Sequence, residues 1–133
     1  MNHEYKIELG TVIGPDTKNS EERNFLWLEI GWIFFDANRN IDLAPKKFFH
    51  NIVRREVYKV ARYAAAGYYP VEEMRDELWD CLLLFTVGWK FTKSELDKDF
   101  TKRLGEIFEK GIQEGLKKPK KYISTLIVYF YEK

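Results

Sequence analysis

The sequence has 133 residues, 45% of them hydrophobic and 32% charged, which is typical of one globular domain with a buried core and excludes a disordered chain. Aromatic residues make up 17%, so rings are expected to build much of the core or of an interface. The net charge is only +1, but residues 70–89 carry five acidic and one basic side chain, and residues 90–133 carry eleven basic and seven acidic ones. This acidic middle and basic C-terminal part indicate two different kinds of partner.

The cysteine content and the hydropathy bear on the compartment. Cys81 is the only cysteine, so an internal disulfide is excluded, and neither a leader-like N-terminus nor an apolar run of membrane-spanning length is found. We therefore expect a cytoplasmic protein, in the host cytoplasm if the source is viral. A single glutamine among many Lys, Glu and Tyr residues favours a heat-adapted source.

Residues 1–18 are expected to form an extended arm. Tyr5 and Ile7 alternate with charged residues as far as Gly10, which is the pattern of a short strand, and residues 14–16 have turn chemistry. Because a single strand is not stable by itself, the arm should lie on the body of the domain or on a partner.

A long apolar segment follows the arm. Asn19 and Glu22 are spaced like a capping box, which predicts that a helix begins there. Residues 25–35 are nearly all large and apolar, as in a helix at the centre of a bundle. A buried strand and an exposed aromatic surface for a partner are the alternatives. Residues 36–44 are expected to form a polar turn.

A long basic helix is predicted from Pro45 to about Ala66, with Gly67 as its C-cap. His50 has no second imidazole or carboxylate at metal-ligating spacing, so it is interpreted as an ordinary surface or core residue. The cations of this helix are interpreted as a solvated surface, with phosphate contact as the alternative. They are Lys46, Lys47, Arg54, Arg55, Lys59 and Arg62.

An acidic amphipathic helix is predicted from Pro70 to Phe85. Its apolar stripe includes Cys81, and its other side is acidic except for Arg75. The acidic side either keeps the protein soluble or docks on a basic partner. Its carboxylates are Glu72, Glu73, Asp76, Glu77 and Asp80.

The C-terminal third is expected to contain two further helices. Ser94 and Asp97 form a capping pair before a third amphipathic helix that ends near Leu116, weakened by glycines at 105, 111 and 115. Residues 117–121 form a basic hinge. Residues 122–133 have apolar side chains at helical steps and are predicted to be helical, although residues 126–131 are also strand formers.

The fold class that these patterns predict is all-α, an orthogonal bundle of four to five helices with a short N-terminal extended arm. The sequence lacks a glycine-rich phosphate loop, a Cys or His cluster and a nucleophile elbow. We therefore predict no catalytic residues, no cofactor, no metal site and no enzymatic activity. The basic and aromatic C-terminal part is instead typical of single-stranded nucleic-acid binding.

The stretch from Tyr58 to Phe85, YKVARYAAAGYYPVEEMRDELWDCLLLF, resembles the polymerase-binding helical domain of bacterial and phage sigma factors. In that family a helix of leucine–alanine–arginine character is followed by a short turn and a helix that begins E-D-L-x-Q-E. Glu72 and Glu77 match this pattern. The resemblance implies that core RNA polymerase is bound by Glu72, Glu73, Asp76, Glu77 and Asp80.

The same resemblance implies a DNA-binding segment. In the family, the next helix opens the promoter by stacking aromatic rings on bases, and residues 117–133 occupy about that position. The insertion at 86–118 is longer than in the simplest members, and no helix-turn-helix follows. The implied nucleic-acid contacts are Lys117, Lys118, Lys120, Lys121, Tyr122 and Tyr129.

We therefore expect a small sigma-like transcription protein that binds core RNA polymerase through the acidic helix and promoter DNA through its basic, aromatic C-terminal segment. The alternative is a helical structural or assembly subunit of a viral or nucleoprotein complex. In that case the aromatic run and the N-terminal arm would mediate self-association.

Overall fold

A computed structural model describes residues 3–8, 11–15, 20–124 and 127–132 of the chain. The described part is mostly helical, so the predicted helical bundle is confirmed, while the orthogonal crossing of its helices stays a prediction. A 3₁₀ turn at Lys46–Phe48 precedes the second helix, and a π-helical turn at Leu83–Val87 joins the third to the fourth. The elements are β1 (His3–Glu8), β2 (Thr11–Ile13), α1 (Ser20–Asp42), α2 (Phe49–Ala65), α3 (Val71–Leu82), α4 (Gly88–Lys90), α5 (Lys98–Leu116), β3 (Tyr122–Ser124) and β4 (Ile127–Glu132).

The chain forms two compact units. The ribbon unit comprises Met1–Trp32 with Lys121–Lys133, and the helical unit comprises Ile33–Lys120. The expectation of a single domain stays a prediction.

The core of the helical unit lies where α2 packs against both α5 and α3. Each of these helices contributes the apolar stripe that its three- and four-residue spacing predicts, and the charged positions of the same helices are exposed or partly exposed except for Glu56 of α2, which is buried. Phe49, at the start of α2, is completely buried. The buried apolar side chains of these three helices include Phe49, Val53, Val57, Val60 and Ala61 of α2, Met74, Leu78 and Leu82 of α3, and Leu104, Phe108 and Ile112 of α5.

Two glycines of α5 explain how closely it approaches α2. A Cβ on Gly111 would stand 2.8 Å from the carbonyl oxygen of Arg54, and a Cβ on Gly115 would stand 2.5 Å from that of Tyr58. A Cβ on Gly105, by contrast, would meet nothing within 4 Å. The glycines at 111 and 115 therefore do more than weaken α5, because they let its backbone lie directly on α2.

The first helix is longer than the sequence predicts. Residues 36–42 were expected to form a turn, but α1 continues to Asp42, so this prediction is wrong. Ala37 and Ile41, one turn apart, are buried in the core. The polar residues between them find partners: Arg39 pairs with Asp36 at 2.6 Å, and the Asn40 side chain donates to Glu56 of α2 at 2.7 Å. Core packing therefore outweighs the turn preference of asparagine.

The ends of the other helices agree with their capping signals in part. Gly67, after α2, has a positive φ of 93°, as the predicted C-cap requires. The predicted capping pair before the last helix is wrong in detail: α5 begins at Lys98, and the side chain of Asp97 accepts from the backbone N–H of Phe100 at 2.8 Å. Asp97 is thus the N-cap itself. The predicted N-cap Asn19 lies outside the described residues.

The ribbon unit contains an antiparallel pairing of the two ends of the chain. β1 pairs with β4, with His3 opposite Glu132, and β2 pairs with β3, with Ile13 opposite Tyr122. The two strand pairs follow the same alignment of the N-terminal segment with the C-terminal segment. The predicted C-terminal helix is therefore wrong: the strand-forming run of Ile, Val, Tyr and Phe in β4 takes its backbone hydrogen bonds from the N-terminal strand. The predicted strand character of the N-terminal arm is confirmed over β1.

Candidate nucleic-acid interface

One side of α2 carries a row of basic and aromatic residues next to the C-terminal end of α5. Arg54, Tyr58 and Arg62 follow each other at four-residue steps and therefore lie along one face of the helix. All three are partly buried, and their backbone lies against the close glycine contacts of α5. The row is thus held on a rigid element of the fold.

The ring of Tyr58 lies close to two cations. The guanidinium carbon of Arg62 is 5.7 Å from the ring centroid, and the ammonium nitrogen of Lys118 is 6.0 Å from it. Both distances are within the reach of cation–π attraction. A half-buried tyrosine ring with two cations over it sets an aromatic group next to charges that can bind phosphates.

The basic loop after α5 is fixed to α2 by Arg62. The Arg62 Nε donates to the carbonyl oxygen of Lys118 at 2.8 Å, and the backbone N–H of Lys120 donates to the carbonyl oxygen of Arg62 at 3.1 Å. The side chains of Lys117, Lys118 and Lys120 remain exposed. The backbone of this loop is therefore held against α2, with Lys117 and Lys118 in the same cleft as Tyr58.

These residues surround a cleft of about 480 Å³, here called the Tyr58 cleft. Its charged lining is predominantly basic, and its single acidic member, Glu114, is bound to Arg54 by contacts of 2.5 and 3.3 Å. The two lysines of the cleft, Lys117 and Lys118, form no ion pair with any described residue. Its lining residues are Asn51, Arg54, Arg55, Tyr58, Glu114, Lys117 and Lys118.

A second recess of about 380 Å³ shares Tyr58 and extends past Arg62 and Lys120. Glu56 lies at its floor, where its carboxylate is buried. Burial works to raise the pKa of Glu56, but hydrogen bonds from Asn40, Lys59 and Arg55 outweigh it and hold that pKa below its ordinary value. The charges of Arg55 and Lys59 are therefore partly neutralised by Glu56. Arg62 and Lys120 form no ion pair among the described residues.

The predicted nucleic-acid residues fall in both units. Lys117, Lys118 and Lys120 belong to the helical unit and lie beside α2, whereas Lys121, Tyr122 and Tyr129 belong to the ribbon unit. Tyr122 stands in β3 opposite Ile13, and Tyr129 stands in β4 opposite Lys6. Tyr58 is not among the predicted contacts, and Arg62 is only one of the helix cations for which phosphate contact is the alternative, although the four-residue steps from Arg54 to Tyr58 and from Tyr58 to Arg62 are a usable signal.

The predicted polymerase-binding carboxylates lie on the outer side of α3. Glu72 forms an ion pair with Arg75 at 2.5 Å, and Arg75 also contacts Glu109 of α5 at 2.7 Å. The other four carboxylates form no ion pair with a described residue. All five predicted residues are exposed: Glu72, Glu73, Asp76, Glu77 and Asp80.

Two large apolar residues are exposed after α3. Leu84, in the π-helical turn, is 68% exposed, and Trp89 of α4 is 86% exposed. The thiol of Cys81 lies beside the acidic face, where burial and then Glu77 and Asp80 raise its pKa, so it stays a neutral thiol. The acidic helix α3 is thus followed in the chain by an exposed indole.

Neither a metal-binding cluster nor a membrane-spanning helix is found among the described residues. The part of the chain that the structure describes holds no group of three or more His, Cys, Asp or Glu side chains arranged to bind a metal ion. It likewise holds no helix with the length and hydrophobicity needed to cross a membrane.

Comparisons of this chain with protein-family models, with curated proteins and with solved structures give no significant match.

Proposed function

We propose that this protein is a small, non-enzymatic, sigma-like transcription protein of the cytoplasm. It holds single-stranded promoter DNA in the Tyr58 cleft and docks on core RNA polymerase through the acidic face of α3. The observation that carries the proposal is the Tyr58 ring flanked by Arg62 and Lys118, at 5.7 and 6.0 Å, next to lysines without carboxylate partners.

The nucleic-acid part of the proposal follows from the chemistry of the cleft. Proteins bind single strands by placing aromatic rings against bases and cations along the phosphates, and each stacked base contributes about 1–3 kcal/mol. Tyr58 supplies the ring, and the lysines at 117, 118 and 120 supply the charges. Arg62 holds both the ring and the loop, so the site is organised before DNA arrives.

The proposal differs from the sequence-based expectation in where the contacts arise. Tyr122 and Tyr129 stand in strands, so the DNA contact does not use a C-terminal helix as in sigma factors. The main contacts are assigned to α2 and the loop after α5. Lys121, Tyr122 and Tyr129 remain proposed as secondary contacts on the ribbon unit.

The polymerase part rests on the charge of α3. Glu73, Asp76, Glu77 and Asp80 are exposed and unpaired among the described residues, and four unbalanced negative charges on one helix attract a basic protein surface. A partner that buried these charges against its own cations would gain both association rate and specificity. The resemblance of this helix to the sigma pattern selects core RNA polymerase as that partner.

Binding of a fluorescent oligodeoxythymidylate tests the cleft. We expect Tyr58→Ala and Lys118→Gln each to weaken binding by about fivefold or more, given the worth of a stacked base and of a phosphate contact. Lys110→Gln, on the exposed side of α5, is the control and should leave the affinity unchanged. Wild-type affinity that does not depend on salt, or equal affinity in all variants, would remove the nucleic-acid proposal.

Capture of core RNA polymerase tests α3. The double charge reversal Glu73→Lys with Glu77→Lys should abolish capture at low salt. The control is Asp42→Lys with Glu106→Lys, which changes the net charge equally at two exposed positions on α1 and α5. If both double variants lose capture equally, the attraction is one of overall charge and the acidic face is not the docking surface.

A second candidate function, a self-associating assembly subunit, is favoured by the exposure of Trp89 and Leu84. Large apolar side chains that are exposed to this extent are typical of an interface when they form one patch. Sedimentation distinguishes the two candidates. A discrete oligomer that Trp89→Ser converts to a monomer, together with absent polymerase capture, would favour assembly.

A further inference from the structure

A separate recess lies beside the first turn of α2, here called the His50 recess. Its volume is about 500 Å³, within the range of sites that hold small organic ligands. It lies entirely within the helical unit, and neither Tyr58 nor the loop after α5 contributes to it. Its lining includes Lys46, Lys47, His50, Phe91, Phe100 and Arg103.

One wall of the His50 recess is aromatic. The rings of His50 and Phe100 are 5.1 Å apart at 70°, and those of Phe91 and Phe100 are 4.7 Å apart at 55°. The buried ring of Phe49 lies behind them, 4.9 Å from Phe91. Because these rings hold each other in place, they offer a rigid apolar wall for a flat ligand.

The recess also carries positive charge beside its aromatic wall. Lys46 is neutralised by Glu95 at 3.0 Å, and its ammonium nitrogen lies 5.5 Å from the centre of the Phe91 ring. Lys47 and Arg103 are exposed and form no ion pair with a described residue. Two uncompensated cations at the edge of an aromatic recess favour a ligand that carries an anionic group.

His50 adds an unsatisfied polar atom. Its Nε2 is buried and has no hydrogen-bond partner in the described part of the chain. Burial and then the charge of Arg103 lower the pKa of His50, so the ring is neutral near pH 7 and offers one donor and one acceptor nitrogen. Lys46, Lys47 and Glu95 are the other charged groups around the recess. Because Nε2 is closed off from solvent, His50 contributes a neutral ring, and no charge, to the recess.

We propose that the His50 recess binds a 5′-phosphorylated nucleotide, with its base against the aromatic wall and its phosphate on Lys47 and Arg103. The ligand is either a free mononucleotide or the phosphorylated end of a strand, since both present the same base and phosphate. The recess acts independently of the Tyr58 cleft, although Asn51 lines both.

Calorimetric titration with 5′-AMP, adenosine and inorganic phosphate tests the ligand class. We expect AMP to bind about tenfold or more tightly than either part alone, because both the wall and the cations contribute. Phosphate binding as tightly as AMP would overturn the proposal, since the wall would then play no part. Absence of AMP binding would overturn it as well.

Variants locate the site. Arg103→Gln and Lys47→Gln should each weaken AMP binding by about fivefold or more through the loss of a charge-assisted contact. Lys102→Gln, at the neighbouring exposed position of α5, is the control and should change nothing. If Arg103→Gln and Lys102→Gln weaken AMP binding equally, the ligand binds elsewhere and the proposal is overturned.

A spectroscopic signal provides a readout that does not depend on affinity. The NMR resonances of the His50 ring should shift on addition of AMP, whereas those of His3, the other histidine, serve as the reference. Tyr58→Ala should leave the His50 shift intact, so failure of the Tyr58 cleft and failure of this recess can be told apart. A His50 ring that does not respond to bound AMP contradicts the proposed placement.

A comparison of oligonucleotides identifies the source of the nucleotide. If a 5′-phosphorylated oligothymidylate binds the Tyr58→Ala variant more tightly than its 5′-hydroxyl form, the ligand is a strand end. If the two bind equally while AMP still binds at Arg103, the ligand is a free mononucleotide.

Discussion

The backbone at Gly115 lies on the carbonyl of Tyr58, so closely that a Cβ on Gly115 would stand 2.5 Å from that oxygen and 2.6 Å from the Cβ of Ala61. This contact fixes the position of residues outside the core as well. It places Glu114 next to Arg54 and brings Lys118 to 6.0 Å from the Tyr58 ring. The geometry of the proposed DNA site therefore depends on a glycine that carries no chemistry of its own.

Substitution of this glycine should destabilise the protein strongly. Gly115→Ala forces backbone against side chain at the α2–α5 contact, and overpacking of this kind costs about 1–3 kcal/mol. Gly105→Ala is the matched control on the same helix, because its Cβ meets nothing and the helix gains up to about 1 kcal/mol. Urea unfolding of the two variants measures both effects. If Gly115→Ala were as stable as Gly105→Ala, the close approach of α5 to α2 would be wrong.

The helical part of the fold could be predicted because each helix carries its own periodicity. The apolar stripes of α2, α3 and α5 predict which of their apolar residues are buried. The acidic face of α3 is exposed, as its pattern indicates. The end of α1 could not be predicted, since Asn38 and Asn40 favour a turn locally. The helix continues to Asp42 because of two long-range effects that the local sequence does not show. These are the hydrogen bond from Asn40 to Glu56 and the burial of Ile41.

The remaining errors concern contacts between distant parts of the chain. Residues 122–132 contain both a helical and a strand pattern, and the choice depends on β1, more than a hundred residues earlier. The Tyr58 cleft depends likewise on the docking of the loop after α5 onto Arg62. The sequence shows that α2 and the loop after α5 are both basic, but it does not show which tyrosine the lysines of the loop will approach.

The pairing of the chain ends can be tested by an engineered disulfide. In the observed register Tyr5 lies opposite Phe130, so a Tyr5→Cys, Phe130→Cys variant in a Cys81→Ala background should oxidise to an intramolecular disulfide. The shifted pair Tyr5→Cys, Tyr129→Cys is the control, because neighbouring residues in a strand point to opposite faces. Mass spectrometry after mild oxidation measures the yield. Equal yields from both pairs would contradict the register.

The buried carboxylate of Glu56 should make stability depend on pH. Its hydrogen bonds from Asn40, Lys59 and Arg55, at 2.7, 3.0 and 3.1 Å, hold its pKa in the folded state below its value in the unfolded chain. The resulting stabilisation is present above the unfolded pKa and is lost as the pH falls through the folded pKa.

Glu56→Gln tests this dependence. At pH 7 the variant should lose about 1–3 kcal/mol in the free energy of unfolding, the cost of removing a charged hydrogen-bond partner. As the pH falls through the folded pKa of Glu56, which lies below its ordinary value, the difference should shrink, since the wild-type carboxyl then becomes protonated too. Chemical denaturation of both proteins from pH 3 to 7 provides the measurement. A difference that stays constant over this range would show that the ionised form of Glu56 carries no special stability.

The ion pair between Arg54 and Glu114 predicts a variant that binds DNA better than the natural chain. Among the described residues that line the Tyr58 cleft, Glu114 is the single carboxylate, and it occupies the guanidinium of Arg54 at 2.5 and 3.3 Å. Glu114→Gln removes a negative charge and releases Arg54 for a phosphate. Because the pair is partly exposed, its loss should cost at most about 1 kcal/mol of stability.

We expect Glu114→Gln to tighten single-stranded DNA binding several-fold and to steepen the dependence of log affinity on log salt by about 0.7, the contribution of one more phosphate contact on a single strand. Glu106→Gln is the control, because Glu106 is exposed on α5 and does not line the cleft, although it changes the net charge equally. Fluorescence anisotropy over a salt series separates the two variants. An equal gain in both would mean that DNA responds only to overall charge, and no gain in Glu114→Gln would mean that the strand does not pass Arg54.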